Sequence, residues 1–458
     1  MIFLIVIILA LIMVLGYIYL VSYHQQKHYI NTIIDAKKSP PQDSILLGSS
    51  MEDESIYLTD SELNQHSLII GTTGSGKTTT LLNFVTNCYE RQLPLFYIDG
   101  KGDFNLINDF INLSQKYNRR LKIFSLDVDA FTADNRYICS YNPLSYGNFS
   151  EWKNKIVTLT QEAEGKGQEH YSLQEQLYIN LVCEILYKSN ASIDLEGLIA
   201  YLKNKKQLLK LANDIDPQLG VRLLEIIKDD NDIVRILENF YYSTYGRLFS
   251  TSKYQIEDII SLPQALANNE IILFSLNSAS YKKDTNLLGK LIINDINCCW
   301  SYMAKKNGFT KGYCIFDEFA AYAAPNMANI LSQQRSNGLH AIVATQSINA
   351  VSLENNTVKR VAVELIANCN NFIIHKINDP IDIKLLADMI GQKSYQEYRY
   401  SYNLNTNPIE ANNLATINRQ EYILNTQDVR LLQSGYGYLY QASRYHLPIK
   451  VKFINSHQ

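Results

Sequence analysis

Ser67-Leu-Ile-Ile-Gly-Thr-Thr-Gly-Ser-Gly-Lys-Thr78, running on into Thr79-Thr-Leu-Leu-Asn-Phe-Val85, decides the fold. Ser67–Ile70 is an apolar run of strand type. Gly71–Thr78 fits G-x-x-x-x-G-K-[ST], and a helix-forming stretch follows. Strand, glycine loop and helix in that order are the context a phosphate-cradling P-loop requires. Without a Cβ the backbone N–H groups can turn onto phosphate oxygens, and the helix N-terminus adds its partial positive charge. The expected cradle is Gly71, Thr72, Thr73, Gly74, Ser75, Gly76, Lys77, Thr78 and Thr79, taking ATP with Mg2+. Lys77 is expected to reach the β- and γ-phosphates, and the Thr78 hydroxyl to hold Mg2+. The plain alternative is a glycine-rich turn with no ligand.

A P-loop establishes a nucleotide and leaves its use open. Lys311-Gly-Tyr-Cys-Ile-Phe316 is a second apolar run and ends in Asp317-Glu318. Alone this reads as an ordinary acidic strand end. Paired with the P-loop it reads as the Walker B arrangement, a buried strand delivering carboxylates at its C-terminal end. Asp317 is then expected to hold Mg2+ through water, and Glu318 to orient and deprotonate an attacking water.

The chain has 458 residues, 46% hydrophobic and 19% charged, which describes a packed globular protein of two or three domains. A net charge of −3 excludes a bulk basic signature for nucleic acid and leaves room only for a local cationic lining. The seven cysteines form no C-x-x-C pair, so a zinc site or a disulfide framework is not expected.

The amino terminus differs in kind. Ile2 to Ser22 carries no charge, and as a helix it would span about 31 Å, the thickness of a hydrocarbon core. A cleaved signal peptide would need a basic start and a shorter apolar core. The reading is one retained transmembrane helix over residues 1–23. Lys27, Lys37 and Lys38 follow it and place the body in the cytoplasm.

Residues 24–60 read as a stalk, containing Ser39-Pro-Pro41, and leading strands. Residues 61–149 alternate strand and helix, with Leu95–Ile98 and Leu121–Leu126 as strands, which argues an α/β fold with a mainly parallel sheet. Across 150–260 strand-like runs are absent. Leu173, Leu177, Leu181 and Ile185 recur at helical spacing, so this stretch reads as an all-α insertion. Lys203, Lys205, Lys206 and Lys210 read as a solvated helix face. Alternation resumes over 261–458, with strands at Ile271–Leu276, His340–Ala344 and Phe372–His375. The last sixty or so residues read as irregular β structure.

Five features stand in order: the P-loop, Tyr97-Ile-Asp-Gly-Lys-Gly-Asp103, Ile315-Phe-Asp-Glu-Phe-Ala320, Gln333-Gln-Arg-Ser-Asn-Gly338 and Ala344-Thr-Gln-Ser347. The ordered set resembles the coupling ATPases of type IV secretion and conjugation, the TraG/TraD-type branch of the FtsK–HerA motors. His66, Tyr141-Asn-Pro-Leu144 and Asn368-Cys-Asn370 are similar signposts. The resemblance implies a RecA-like P-loop domain, an all-α domain inserted between the two nucleotide motifs, and an N-terminal membrane anchor. It implies that Gln346 senses the γ-phosphate; the alternative is an ordinary turn residue. It implies that Arg335 reaches a neighbouring subunit's nucleotide; the alternative is a surface arginine. Gly100 stands where the family usually has proline, which leaves the roles of Asp99 and Lys101 open.

The resulting expectation is a single-pass ATPase of the bacterial inner membrane, with its C-terminal body in the cytoplasm. It assembles as a ring, by resemblance a hexamer, and feeds DNA or a relaxase–DNA complex into a type IV secretion channel. The family often has two membrane helices and a C-terminal recruitment tail; this chain shows one helix and ends soon after the motor, so a partner protein is expected to select cargo. Alternatives are an intracellular FtsK/HerA-like DNA translocase, a coupling ATPase that exports protein effectors only, and a non-hydrolysing scaffold. Lys77, Asp317 and Glu318 together argue against the last.

Overall fold

The computed structural model describes residues 43–127, 135–161, 173–226, 232–252, 255–324, 326–352, 356–403, 410–443 and 447–454. The strands in chain order are β1 (Ser44–Ser50), β2 (Ser55–Thr59), β3 (Ser67–Ile70), β4 (Leu95–Asp99), β5 (Leu121–Ser125), β6 (Ser140–Tyr141), β7 (Ile259–Ile260), β8 (Ile271–Ser275), β9 (Gly312–Asp317), β10 (Leu339–Thr345), β11 (Asn371–Ile374), β12 (Gln392–Asn403), β13 (Glu410–Tyr422), β14 (Tyr436–Gln441) and β15 (Ile449–Phe453). Eleven of them make one sheet in the order β2-β1-β15-β14-β11-β3-β10-β9-β4-β8-β5.

The strands from β11 to β5 run parallel, and those from β2 to β14 are antiparallel. The sequence explains the division. Every residue of β3, β4, β5, β8, β9, β10 and β11 is buried, as near-continuous apolar runs covered on both faces must be. In β14 alternate residues are buried, the pattern of a strand covered on one face. Successive side chains divide between two cores. Leu68, Ile70, Phe96 and Ile98 belong to one. Ile69, Leu95 and Tyr97 belong to the other, under the helices Lys77–Glu90 and Phe104–Tyr117.

Between β6 and β7 the described residues hold helices Phe149–Gln161, Leu173–Lys188, Leu195–Lys203, Lys205–Ile215, Pro217–Ile226 and Asp232–Tyr241. β6 and β7 pair in parallel, so the chain leaves and re-enters the α/β body at one place. The helical spacing over 173–185 is only partly the core face. Leu181 and Ile185 are buried, whereas Leu177 is exposed and the interior takes Tyr178, Val182 and Leu186 instead. Lys203, Lys206 and Lys210 are exposed, and Lys203 pairs with Glu238 at 2.6 Å.

The C-terminal stretch departs from the irregular β structure expected of it. β12 and β13 pair as a two-stranded antiparallel sheet with one register shift at Ser401/Tyr402, and β14 and β15 complete the main sheet. Tyr436-Gly-Tyr-Leu-Tyr-Gln441 has too diluted an apolar pattern to read as a sheet strand; its pairing with β11 makes it one. Among the described residues no helix is long and apolar enough to cross a membrane, and Ile2–Ser22 lies outside those residues.

Candidate functional site: a crevice between β3 and β10

β3 lies between β10 and β11, and all three point their C-terminal ends the same way. In an open parallel sheet, ligands sit beyond those ends. The loop Gly71–Gly76 leaves β3 there, and Lys77 opens the helix Lys77–Glu90 with Gly76 at φ 105° as its cap. Gly71 is equally constrained, because a Cβ there would lie 2.6 Å from the His375 Cβ. Lys77 is nearly buried, and its ammonium donates to the carbonyls of Gly71 at 2.6 Å and Thr72 at 3.3 Å. Burial lowers its pKa, opposed by the charges of Glu318 and Asp317.

β9 ends at Asp317, beside Asp99 at the end of β4. Tyr97 donates its hydroxyl proton to Asp317 Oδ2 at 2.8 Å, and the Glu318 N–H donates to Oδ1 at 2.9 Å. Burial first, with the charges of Asp99 and Glu318 adding to it, pushes the Asp317 carboxyl up to about 7. Such an under-compensated carboxylate suits a divalent cation. Among the described residues no group of three or more His, Cys, Asp or Glu could hold a metal ion.

Glu318 has φ 49°, the left-handed region that non-glycine residues seldom occupy. This turns its side chain toward Gln346 at the end of β10. The Gln346 amide donates to both Glu318 carboxylate oxygens at 3.0 Å and accepts from the Thr73 hydroxyl at 3.1 Å. One side chain thus spans the crevice from P-loop to acidic strand end. Thr72, Thr73, Gly74, Gly76, Lys77, Thr78, Thr79, Asp317, Glu318 and Gln346 all line one cavity of about 520 Å3. Ser75 lies behind it, buried.

Arg335 is not brought to this cavity by its own chain. It is exposed in the short turn Gln334–Asn337 that precedes β10, at the opposite end of that strand. Seven strand residues separate the two ends, roughly 20 Å. Asp99 is buried, and its oxygens accept from the Lys101 and Asp103 N–H groups, both at 2.8 Å. It shapes the turn after β4. Lys101 projects at the cavity and pairs with Asp103 at 2.8 Å.

Sequence reasoning did not single out His375, Tyr97's bond or the turn Ser434–Gly435. The His375 Nδ1 proton goes to the Tyr436 carbonyl at 3.1 Å, and Nε2 accepts from the Thr80 hydroxyl at 3.1 Å. Burial pushes this histidine down to about 4, so it is neutral. The Gly435 N–H donates to the Ser75 carbonyl at 3.3 Å, and Ser434 borders the cavity. His66, one of the signposts, lies at the other end of β3. Its Nε2–H donates to the Leu331 carbonyl at 3.0 Å, and Nδ1 accepts from the Ala341 N–H at 3.1 Å.

This fold and crevice define a P-loop nucleotide-binding class. Residues 312–434 match a family model described as the TraM recognition site of TraD and TraG, and residues 44–139 match one described as helicase HerA-like C-terminal. The type 4 coupling protein DotL of Legionella pneumophila is 22% identical over 411 residues, covering 72% of this chain and 49% of that protein. The chain spans about half the length of the curated relatives it matches. Among solved structures, the unbound conjugative coupling protein TrwBdeltaN70 is similar with a TM-score of 0.58 at 14% identity, covering 93% of this chain and 91% of that one. TrwB in complex with the ATP analogue ADPNP is similar with a TM-score of 0.57 at 14% identity, covering 93% and 92%. Over these stretches the chain is similar to the type IV coupling ATPases of TraG type.

Proposed function

We propose that the protein is a motor of type IV secretion that binds Mg-ATP in the crevice and couples its hydrolysis to delivery of DNA or nucleoprotein into a secretion channel. The observation that carries this is the Gln346 bridge between Thr73 and Glu318, because it links the phosphate cradle to the base at the acidic strand end. In this reading Lys77 gives up its bonds to the Gly71 and Thr72 carbonyls and takes phosphate oxygens. Thr78 and Asp317 hold Mg2+, which supplies charge neutralisation when bound. Glu318 accepts the proton of the attacking water. Gln346 then answers to the presence of the γ-phosphate, since its partners are the P-loop Thr73 and Glu318.

Residues 1–23 anchor the chain in the inner membrane with the body in the cytoplasm, in this proposal, and 24–60, 61–149, 150–260 and 261–458 act as stalk, split motor and helical insertion. Arg335 acts on the nucleotide of a neighbouring subunit in a ring, which we take to be a hexamer. The match to a TraM recognition site supports a protein partner contacting the region 312–434.

The test is phosphate release by the full chain with Mg-ATP. Glu318→Gln is expected to keep nucleotide binding and to slow release by about 100- to 1000-fold. Unchanged release in that variant removes Glu318 from the chemistry. Adding DNA should stimulate turnover; an oligomeric chain with turnover but no response to DNA would point to polypeptide cargo.

A further inference from the structure

The Gln346 side chain is exposed, so packing does not hold it in place. Its direction depends on the backbone to either side. On one side Thr345 is in register with Ile70 of β3, which ties Gln346 to the strand that bears the P-loop. On the other side the segment Ser347–Asn349 is held by one group. Asp382 has no exposed surface, and its Oδ1 accepts the Asn349 N–H at 2.9 Å while Oδ2 accepts the Ile348 N–H at 3.2 Å. The nearby Ser347 side chain favours its charged form. The carboxylate therefore holds the backbone of two successive residues, the second and third after Gln346.

Asp382 is not serving its own helix. It lies in the first turn of Pro380–Ile390, but the cap there is Asp379, whose side chain accepts the Ile381 N–H at 2.9 Å. A buried carboxylate is costly unless its hydrogen bonds are made, and here they are made to another segment altogether. A carboxylate is also the group the geometry calls for. An asparagine would bring one acceptor oxygen and turn an NH2 toward a backbone N–H.

We propose that Asp382 is a positioning residue for Gln346, clamping Ser347–Asn349 so that the Gln346 amide stands between Thr73 and Glu318. The proposal rests on the reading of the crevice as a site of ATP hydrolysis. It concerns a residue outside the cavity lining, and its backbone partners Asn349 and Ile348 are 33 and 34 positions away in sequence.

The experiment is a double-mutant cycle on the full chain with Asp382→Asn, Gln346→Ala and both. Asp382→Asn is expected to lower kcat about 10-fold with KM for ATP within about 2-fold, and to add nothing to Gln346→Ala, because both remove one function. Ser347→Ala, which removes the hydroxyl beside Asp382, should give a smaller loss in the same direction and serves if Asp382→Asn does not fold. Hydrogen exchange at the Ile348 and Asn349 amides is read in parallel with a non-hydrolysable ATP analogue and Mg2+. Nucleotide should raise their protection in the wild-type chain and fail to do so in the variant. Full turnover in Asp382→Asn, losses that multiply in the double variant, or wild-type amides that exchange unprotected overturn the proposal. A wild-type chain without turnover fails the ATPase reading alone, and the exchange measurement still decides the role of Asp382.

Discussion

Asp295 and Asp317 are both buried carboxylates on the same α/β body, and their surroundings differ in kind. Asp295, on the helix Lys282–Asn307, is closed off. Lys155 from the helical insertion pairs with it at 2.7 Å, with neither side chain exposed, and the Tyr141 and Tyr146 hydroxyls each donate to it at 2.6 Å. Lys155 is further held by the Pro143 carbonyl at 2.7 Å and lies 4.0 Å over the Tyr146 ring. Asp317 has one tyrosine, one backbone N–H and two acidic neighbours, and its carboxyl is pushed up to about 7. A charge with every valence answered fastens two parts of the chain together. A charge left under-compensated at the ends of parallel strands waits for a cation.

The largest expected effect tests the closed half of that contrast. Asp295→Ala leaves the Lys155 ammonium buried without its partner and should cost about 3–5 kcal/mol in urea unfolding. Replacing both, as Lys155→Met with Asp295→Leu, should recover most of that loss. A cost under about 1 kcal/mol for the single variant would dissolve the distinction.

The next effect concerns other buried groups far from the crevice. His66 and His340 sit in the sheet's opposite end, and burial pushes both down to about 4 from 6.5. The folded state therefore keeps them neutral while the unfolded chain takes a proton near 6.5. Their contribution is full above that value and lost as pH falls toward 4, about 3 kcal/mol for each at most. Urea midpoints measured from pH 7.5 to 4.5 should fall through this window. Flat midpoints would show that neither ring is held neutral.

The smallest effect sharpens the open half. Tyr97→Phe removes one hydrogen bond from Asp317 and leaves the core volume nearly intact. It should shift stability by about 1 kcal/mol and turnover by roughly 3- to 10-fold. A loss as great as that of Glu318→Gln would make Tyr97 part of the chemistry rather than a support for Asp317.

The motifs legible in the chain are those whose chemistry is local. Gly71–Thr78 is a strand–glycine loop–helix pattern and Asp317-Glu318 an acidic end of an apolar run, so each can be read without knowing what packs on it. The parallel strands were legible for a related reason: residues buried on both faces make continuous apolar runs, as in Ile342-Val-Ala344. β14 and β15 were not, because half of their residues are covered and the pattern thins to tyrosine, glycine and lysine. Leu177 shows the same weakness in the insertion, where helical spacing alone took in an exposed position beside the buried Leu181 and Ile185.

The amino-acid sequence by itself determined the class, the glycine loop between strand and helix and the acidic strand end, since spacing along a strand–loop–helix sets where those groups stand. Tertiary structure decided the rest. It brought Gln346 onto Thr73 and Glu318, set His375 behind the P-loop, and placed Asp382 under Ser347–Asn349. It also put Arg335 at the far end of β10. Those relations depend on which strands become neighbours, and strand order in a sheet follows from packing between segments hundreds of residues apart.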